Sequence, residues 1–328
     1  MGTVVRVLGA VTLGLFLGTG LLLLTHVSAW SEDEGPPSVE EEPAWAKVAP
    51  EQIAEAKKHD VPVAFENDLG MRFVLIPAGT FLMGSPEDEE GREDDEKLRQ
   101  VTITRPYYMQ ATEVTNGQYR HVFPKHRSGM CEYLTLDGDH QPAVRLTWGD
   151  ADAYVEQLSE RDELRSYRLP TEAEWEHASR AGSKETFWWG GGEESAGRCA
   201  NVADLAWTHL TYSQPEIIFK LADGYAVSAP VGSFEPSPWG LWDMIGNVWE
   251  LCADWYAEYP IGRQVDPTGP TVYTPALQRV ARGGAWSSPA KYCRCAVRWT
   301  FPGSGGNTLG SDVHGLRLVS PLSGRGHR

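Results

Sequence analysis

Between Gly70 and Thr104 the alternation of apolar and polar positions predicts strands. An unbroken apolar run, Phe73-Val74-Leu75-Ile76, stops at the turn signal Pro77-Ala78-Gly79, and Thr80-Phe81-Leu82-Met83-Gly84 follows. Short apolar runs closed by turn residues suit buried strands. Residues 86–97 are nearly all acidic or polar and predict an exposed loop. Gln100–Thr104 alternates polar with apolar residues, the period of a strand with one buried face.

Three helix starts carry one signal. Thr115 is followed at the third position by Gln118, Thr147 by Asp150 and Thr171 by Glu174. A threonine hydroxyl can cap free backbone N–H groups while the later side chain reaches back to the cap. The predicted helices run through Tyr119–Phe123, Ala151–Leu164 and Ala173–Arg180, with Gly182 as the stop of the third. A short helix is predicted over Glu51–Lys58. After Ala181 the chain is rich in Gly, Trp and Asn and loses its period. Such a stretch holds its backbone by turns, side-chain hydrogen bonds or bound ions.

The first 29 residues contain one charged side chain, Arg6, then an apolar stretch from Val7 to Leu24, then Val27-Ser28-Ala29. This matches an export signal, and the stretch is also long enough for an uncleaved membrane anchor. Either places the bulk of the chain outside the cytoplasm, touching a membrane only through residues 7–24 if the segment is retained. Residues 30–69 read as an acidic linker with the short helix, 70–321 as one irregular domain and 322–328 as a tail.

Composition narrows the function classes. The 328 residues hold 29 Lys and Arg against 45 Asp and Glu, a net charge of −16. That excludes nucleic acid as a partner, because phosphate contacts need a basic face. Thirteen Trp, 34 Gly and 22 Pro indicate a loop-rich fold rather than a helical bundle. The histidines are scattered without metal-ligand spacing. The five cysteines are an odd number, which leaves at least one thiol unpaired. Cys293 and Cys295, two apart, would point to opposite faces of a strand.

Six motifs follow in order: Ile76-Pro-Ala-Gly-Thr-Phe-Leu-Met-Gly84, Glu113-Val-Thr-Asn116, Arg168-Leu-Pro-Thr-Glu-Ala-Glu-Trp-Glu176, Gly240-Leu-Trp-Asp-Met-Ile-Gly-Asn-Val-Trp-Glu250, Arg282-Gly-Gly-Ala-Trp286 and Gly315-Leu-Arg317. Together they resemble the formylglycine-generating enzyme, or sulfatase-modifying factor, family and span about three quarters of the chain. The resemblance implies an irregular, loop-rich α+β fold related to C-type lectins. It also implies structural calcium, and an oxidase that uses oxygen and a copper ion held by two thiols to convert a peptide cysteine to formylglycine.

Calcium seeks six to eight oxygens. Asp243 and Glu250 offer two carboxylates, and Gly246 can turn the chain so that its carbonyl and that of Val248 face inward. The resemblance carries all four positions over as a calcium loop. It pairs a second set, Asn201 and the Val202 carbonyl with Asp223 and the Tyr225 carbonyl. The copper site fares differently. Laid over this chain, the two family cysteines fall on Ser288 and Cys293, and Ala285 replaces the serine after the two glycines. Soft thiolates select Cu(I), and a hydroxyl is a poor substitute; Cys295 could serve as the second ligand only if the backbone bends, since strand geometry splays it from Cys293. Cys293 alone is expected either as an inert buried or disulfide-bonded residue or as a reactive thiol activated by Lys291 or Arg294. The expectation is a calcium-stabilised binding or scaffold module without copper; the alternative is an oxidoreductase acting on a cysteine-containing peptide or protein.

Overall fold

The computed structural model describes residues 42–191, 193–211, 221–270, 278–302 and 310–322. The export signal or anchor expected over residues 1–29 lies outside the described residues, as do residues 323–328 of the expected tail. Among the described residues no helix is long and apolar enough to cross a membrane.

The chain opens with α1 (Pro50–His59) and β1 (Ala64–Glu66). It continues through β2 (Arg72–Ile76), β3 (Gly79–Met83), β4 (Arg99–Ile103), β5 (Tyr107–Gln110) and α2 (Asn116–Val122). The small hairpin β6 (Met130–Cys131) and β7 (Leu134–Thr135) precedes α3 (Trp148–Arg161), α4 (Glu172–Arg180), α5 (Glu193–Cys199) and α6 (Leu205–Thr211). Strands β8 (Trp249–Trp255), β9 (Gln264–Val265), β10 (Gln278–Arg282), β11 (Trp299–Pro302), β12 (His314–Gly315) and β13 (Val319–Pro321) complete it. Two four-stranded sheets, β1-β2-β5-β13 and β11-β10-β8-β12, carry the frame, beside the three-stranded sheet β3-β4-β9. The architecture is α+β and loop-rich, as expected.

The apolar run of β2 is buried from Phe73 to Ile76 because β1 and β5 flank it on both sides. Trp175 of α4 is fully buried and belongs to the same apolar core as Phe73, Leu75 and Tyr108. All three threonine caps form, with each hydroxyl accepting the N–H three residues on.

Four expectations need correction. Helix α3 ends at Arg161, short of Leu164, because the Asp162 carboxylate accepts the N–H groups of Leu164 and Arg165 and turns the chain. The stretch expected as linker is docked from α1 onward. Gln52 is fully buried and donates to the Leu75 and Trp239 carbonyls, and β1 pairs with β2. The acidic stretch 86–97 is not wholly exposed: Glu96 is buried and, with Glu89, holds Arg294. Cys293 and Cys295 do not lie on a strand. Pro289, which has no N–H to give a ladder, leads into a 3₁₀ turn over Ala290–Tyr292, and Cys293 follows in a bend and Cys295 in a turn before β11.

Candidate functional site

The loop from Asp243 to Glu250 is bent by three left-handed residues, Asp243 (φ 58°), Gly246 (φ 80°) and Asn247 (φ 57°). Left-handed backbone favours glycine and, after it, Asn and Asp, whose side chains can bond locally. At Gly246 no other residue fits: a Cβ there would stand 2.1 Å from the Asn201 carbonyl oxygen. That carbonyl accepts the Asn247 N–H at 2.7 Å. The Asn201 side chain donates to Asn247 Oδ1 at 3.1 Å and to the Val227 carbonyl at 3.0 Å. The two calcium sets expected from the resemblance are therefore stitched together through Asn201 and Asn247.

The oxygens of these sets have different surroundings. Asp243 Oδ2 accepts the Gly232 N–H at 2.7 Å, and the buried carboxyls of Asp243 and Glu113 share a hydrogen bond. Burial pushes Asp243 up to about 6. Glu113 also accepts from Asn247 Nδ2 at 2.9 Å. Burial and then the Asp243 charge hold Glu113 well above the usual carboxylate range. Asn201 Oδ1 is buried with no partner among the described residues. Asp223 accepts the Val202 and Tyr225 N–H groups, both at 2.9 Å, and burial pushes it up to about 7. Glu250 differs from all of these: Arg317 and Trp175 Nε1 occupy both its oxygens. Gly246 and Val248 sit between Asp243 and Glu250, both in buried backbone. Glu113 is the acid that sequence reasoning passed over as a site residue, although it opens the motif Glu113-Val-Thr-Asn116.

The thiol region lies at the end of β10. Gly283 (φ 100°) and Gly284 (φ 81°) turn the chain tightly over Cys293, and a Cβ on Gly284 would stand 2.7 Å from Cys293 Sγ. The Cys293 thiol donates to the Ser288 carbonyl at 3.5 Å, and Ser288 Oγ accepts the Ala285 N–H at 3.0 Å. Cys293 is fully buried, and that burial pushes its thiol far above the usual range. The activation expected from Arg294 is not realised, because its guanidinium is taken by Glu89, Glu96 and the Gly91 carbonyl. Lys291 lies over the Tyr292 ring, 4.5 Å from its centroid. Cys295 accepts from Ser179 Oγ at 3.7 Å, on the α4 side. None of the five cysteines forms a disulfide. Among the described residues no three His, Cys, Asp or Glu side chains gather to hold a metal ion.

A profile of the sulfatase-modifying factor enzyme 1-like domain matches residues 58–321. The chain belongs to this family. Among relatives of this sulfatase-modifying factor domain, the formylglycine-generating enzyme of Streptomyces coelicolor is 30% identical over 293 residues, 72% of this chain and 87% of that protein. The inactive C-alpha-formylglycine-generating enzyme 2 of Mus musculus is 28% identical over 269 residues, 66% of this chain and 75% of that protein. Among solved structures, PvdO from Pseudomonas aeruginosa superposes with a TM-score of 0.64 at 28% identity, covering 79% of this chain and 98% of PvdO. Relatives of this chain thus include a formylglycine-generating enzyme and an inactive one, and the site residues must decide between the two readings.

Proposed function

We propose that this sulfatase-modifying factor domain is a binding or scaffold module, working outside the cytoplasm and stabilised by calcium, that does not oxidise its partner. One observation carries the reading. Where the family resemblance calls for the first of two thiols, the chain has Ser288, whose hydroxyl is committed to the Ala285 N–H. Tight Cu(I) sites are built from soft sulfur, and a thiol must lose its proton to bind metal. Burial of Cys293 opposes that loss. The residues present do not fit copper, and we derive no oxidative step.

Calcium suits the oxygens better. Asn201 Oδ1 is a buried polar group that would otherwise go unsatisfied, and the Asp243 carboxylate has only the Gly232 N–H and the Glu113 carboxyl. Asn201, Val202, Asp223 and Tyr225 would hold one ion, and Asp243 with the Gly246 and Val248 carbonyls another. In this reading Glu250 stays with Arg317. A bound cation would offset the buried negative charge that raises Asp223 and Asp243. The placement outside the cytoplasm rests on the sequence of residues 1–29.

The partner in this reading is a protein or peptide. The resemblance to oxidases favours one that contains cysteine, bound and released with its thiol unchanged. Incubating the full chain with a Cys-x-Pro-x-Arg peptide, copper and oxygen tests this by mass spectrometry. An unchanged peptide mass is expected; conversion to the aldehyde would instead establish the oxidase reading, to which the Streptomyces coelicolor enzyme gives its weight.

A further inference from the structure

Tyr259 is buried between two guanidinium groups. Arg99 Cζ lies 3.7 Å from the ring centroid and Arg298 Cζ 3.8 Å. Two planar cations that close cannot share a face, so each takes its own. Only one of them has a counter-ion. Arg298 grips Glu172 with two hydrogen bonds, at 2.7 and 3.0 Å, and Tyr259 donates its hydroxyl to the same carboxylate at 3.0 Å. Arg99 meets only the Met83 thioether, at 3.4 Å from Nη2. Among the described residues its Nε and Nη1 are buried without hydrogen-bond partners, and it forms no ion pair.

The surrounding charges do not make up the difference. Glu176 is shared by Arg180 and Arg282, and Glu172 answers Arg298 and, at 3.7 Å, Arg282. Asp254 accepts the Glu172 N–H at 2.9 Å, and burial raises it to about 7, so it supplies only part of a charge at neutral pH. A buried cation without a partner is among the costliest features a fold can carry, and burial accordingly lowers Arg99.

Arg99 borders a cavity of about 300 Å³. Its lining includes Tyr259, Pro260, Pro267 and Pro270, and its charged groups are Arg99 and Arg298 against Glu172, Asp254 and Glu258; Glu172 is held by Arg298 and Glu258 by Lys97. The prolines present apolar surface and no N–H donors. The cavity is at the small end of ligand sites: a largely apolar space with charged groups in its wall, of which Arg99 is the cation without an ion-pair partner among the described residues.

We propose that this cavity binds a small organic carboxylate whose acid group neutralises Arg99 and whose body packs on the prolines and Tyr259. One guanidinium without an ion-pair partner matches one negative charge. A phosphate dianion would bring excess charge towards Asp254. The site is independent of the thiol region and of the calcium loops.

Calorimetry on the full chain with propionate and with benzoate tests the proposal, with chloride and inorganic phosphate at matched ionic strength as controls. Saturable one-to-one binding of a carboxylate is expected, weakened at least about tenfold in Arg99→Met. Thr268→Trp, which fills the cavity from its exposed rim and leaves Arg99 in place, should weaken it as much and decides the matter if the first variant does not fold. The Arg99 Nε–H resonance should shift on titration. A peptide with a free C-terminal carboxylate, compared with its amide, tells a chain end from a free acid as the source. Absence of carboxylate binding, or equal affinity in Arg99→Met, would overturn the proposal.

Discussion

Arg317 closes on Glu250 through Nε, at 3.0 and 2.9 Å from the two carboxylate oxygens, and through Nη2 at 2.7 Å. Its remaining donors reach the carbonyls of Gln110, at 2.9 Å, and Trp242, at 2.7 Å, while Trp175 Nε1 donates to Glu250 from α4. One fully buried guanidinium therefore ties the end of β5 to β8 and to the loop that precedes it. Replacing Arg317 by Met should cost about 3–5 kcal/mol, because it strands the Glu250 charge in the core. Urea unfolding of the variant checks this; a loss under about 1 kcal/mol would mean that water reaches Glu250.

His314 gives stability a dependence on pH. It is buried, neither ring nitrogen has a hydrogen-bond partner among the described residues, and burial lowers its pKa from 6.5 to about 4. The unfolded chain therefore takes up the proton first as pH falls. Stability from this residue is intact above about 6.5 and drains away between there and about 4. Aspartates with raised values act in the opposite direction, equally in wild type and variant. His314→Leu should thus gain on the wild type by about 2 kcal/mol more at pH 5 than at pH 8. Denaturation at the two pH values measures the difference, and an equal gain at both would place solvent at the imidazole.

Calcium should stabilise the fold by mass action, by about 2.7 kcal/mol at a concentration a hundredfold above Kd. Asp243→Asn keeps the side-chain volume but removes a charge, and ligand charge sets calcium affinity. The variant should need roughly tenfold more calcium for the same rise in Tm. A wild-type Tm that is the same in calcium and in chelator would remove the ion from the account.

What could be read from the sequence was what is decided within a few residues. The caps at Thr115, Thr147 and Thr171 form because each hydroxyl and its partner are three residues apart. The apolar run Phe73–Ile76 needed only its own period. Errors arose where a neighbour intervened, as Asp162 does at the end of α3 and Pro289 before Cys293. Long-range electrostatics were not legible. Arg294, placed beside Cys293 in the sequence, is claimed by Glu89 and Glu96, 205 and 198 residues away. Arg317 and Glu250 each stood in a recognised motif, yet nothing local announced that they bind one another. The positions that the resemblance assigns to calcium were legible as a pattern, whereas the link between the two sets through Asn201 and Asn247 required the fold.

The most direct test of a non-oxidising module is a Cu(I) titration of the full chain against a competing chelator, with Ser288→Cys alongside. The wild type should show no tight stoichiometric complex, and restoring the second sulfur should create or strengthen one. A tight one-to-one complex in the wild type that disappears in Cys293→Ala would contradict the account.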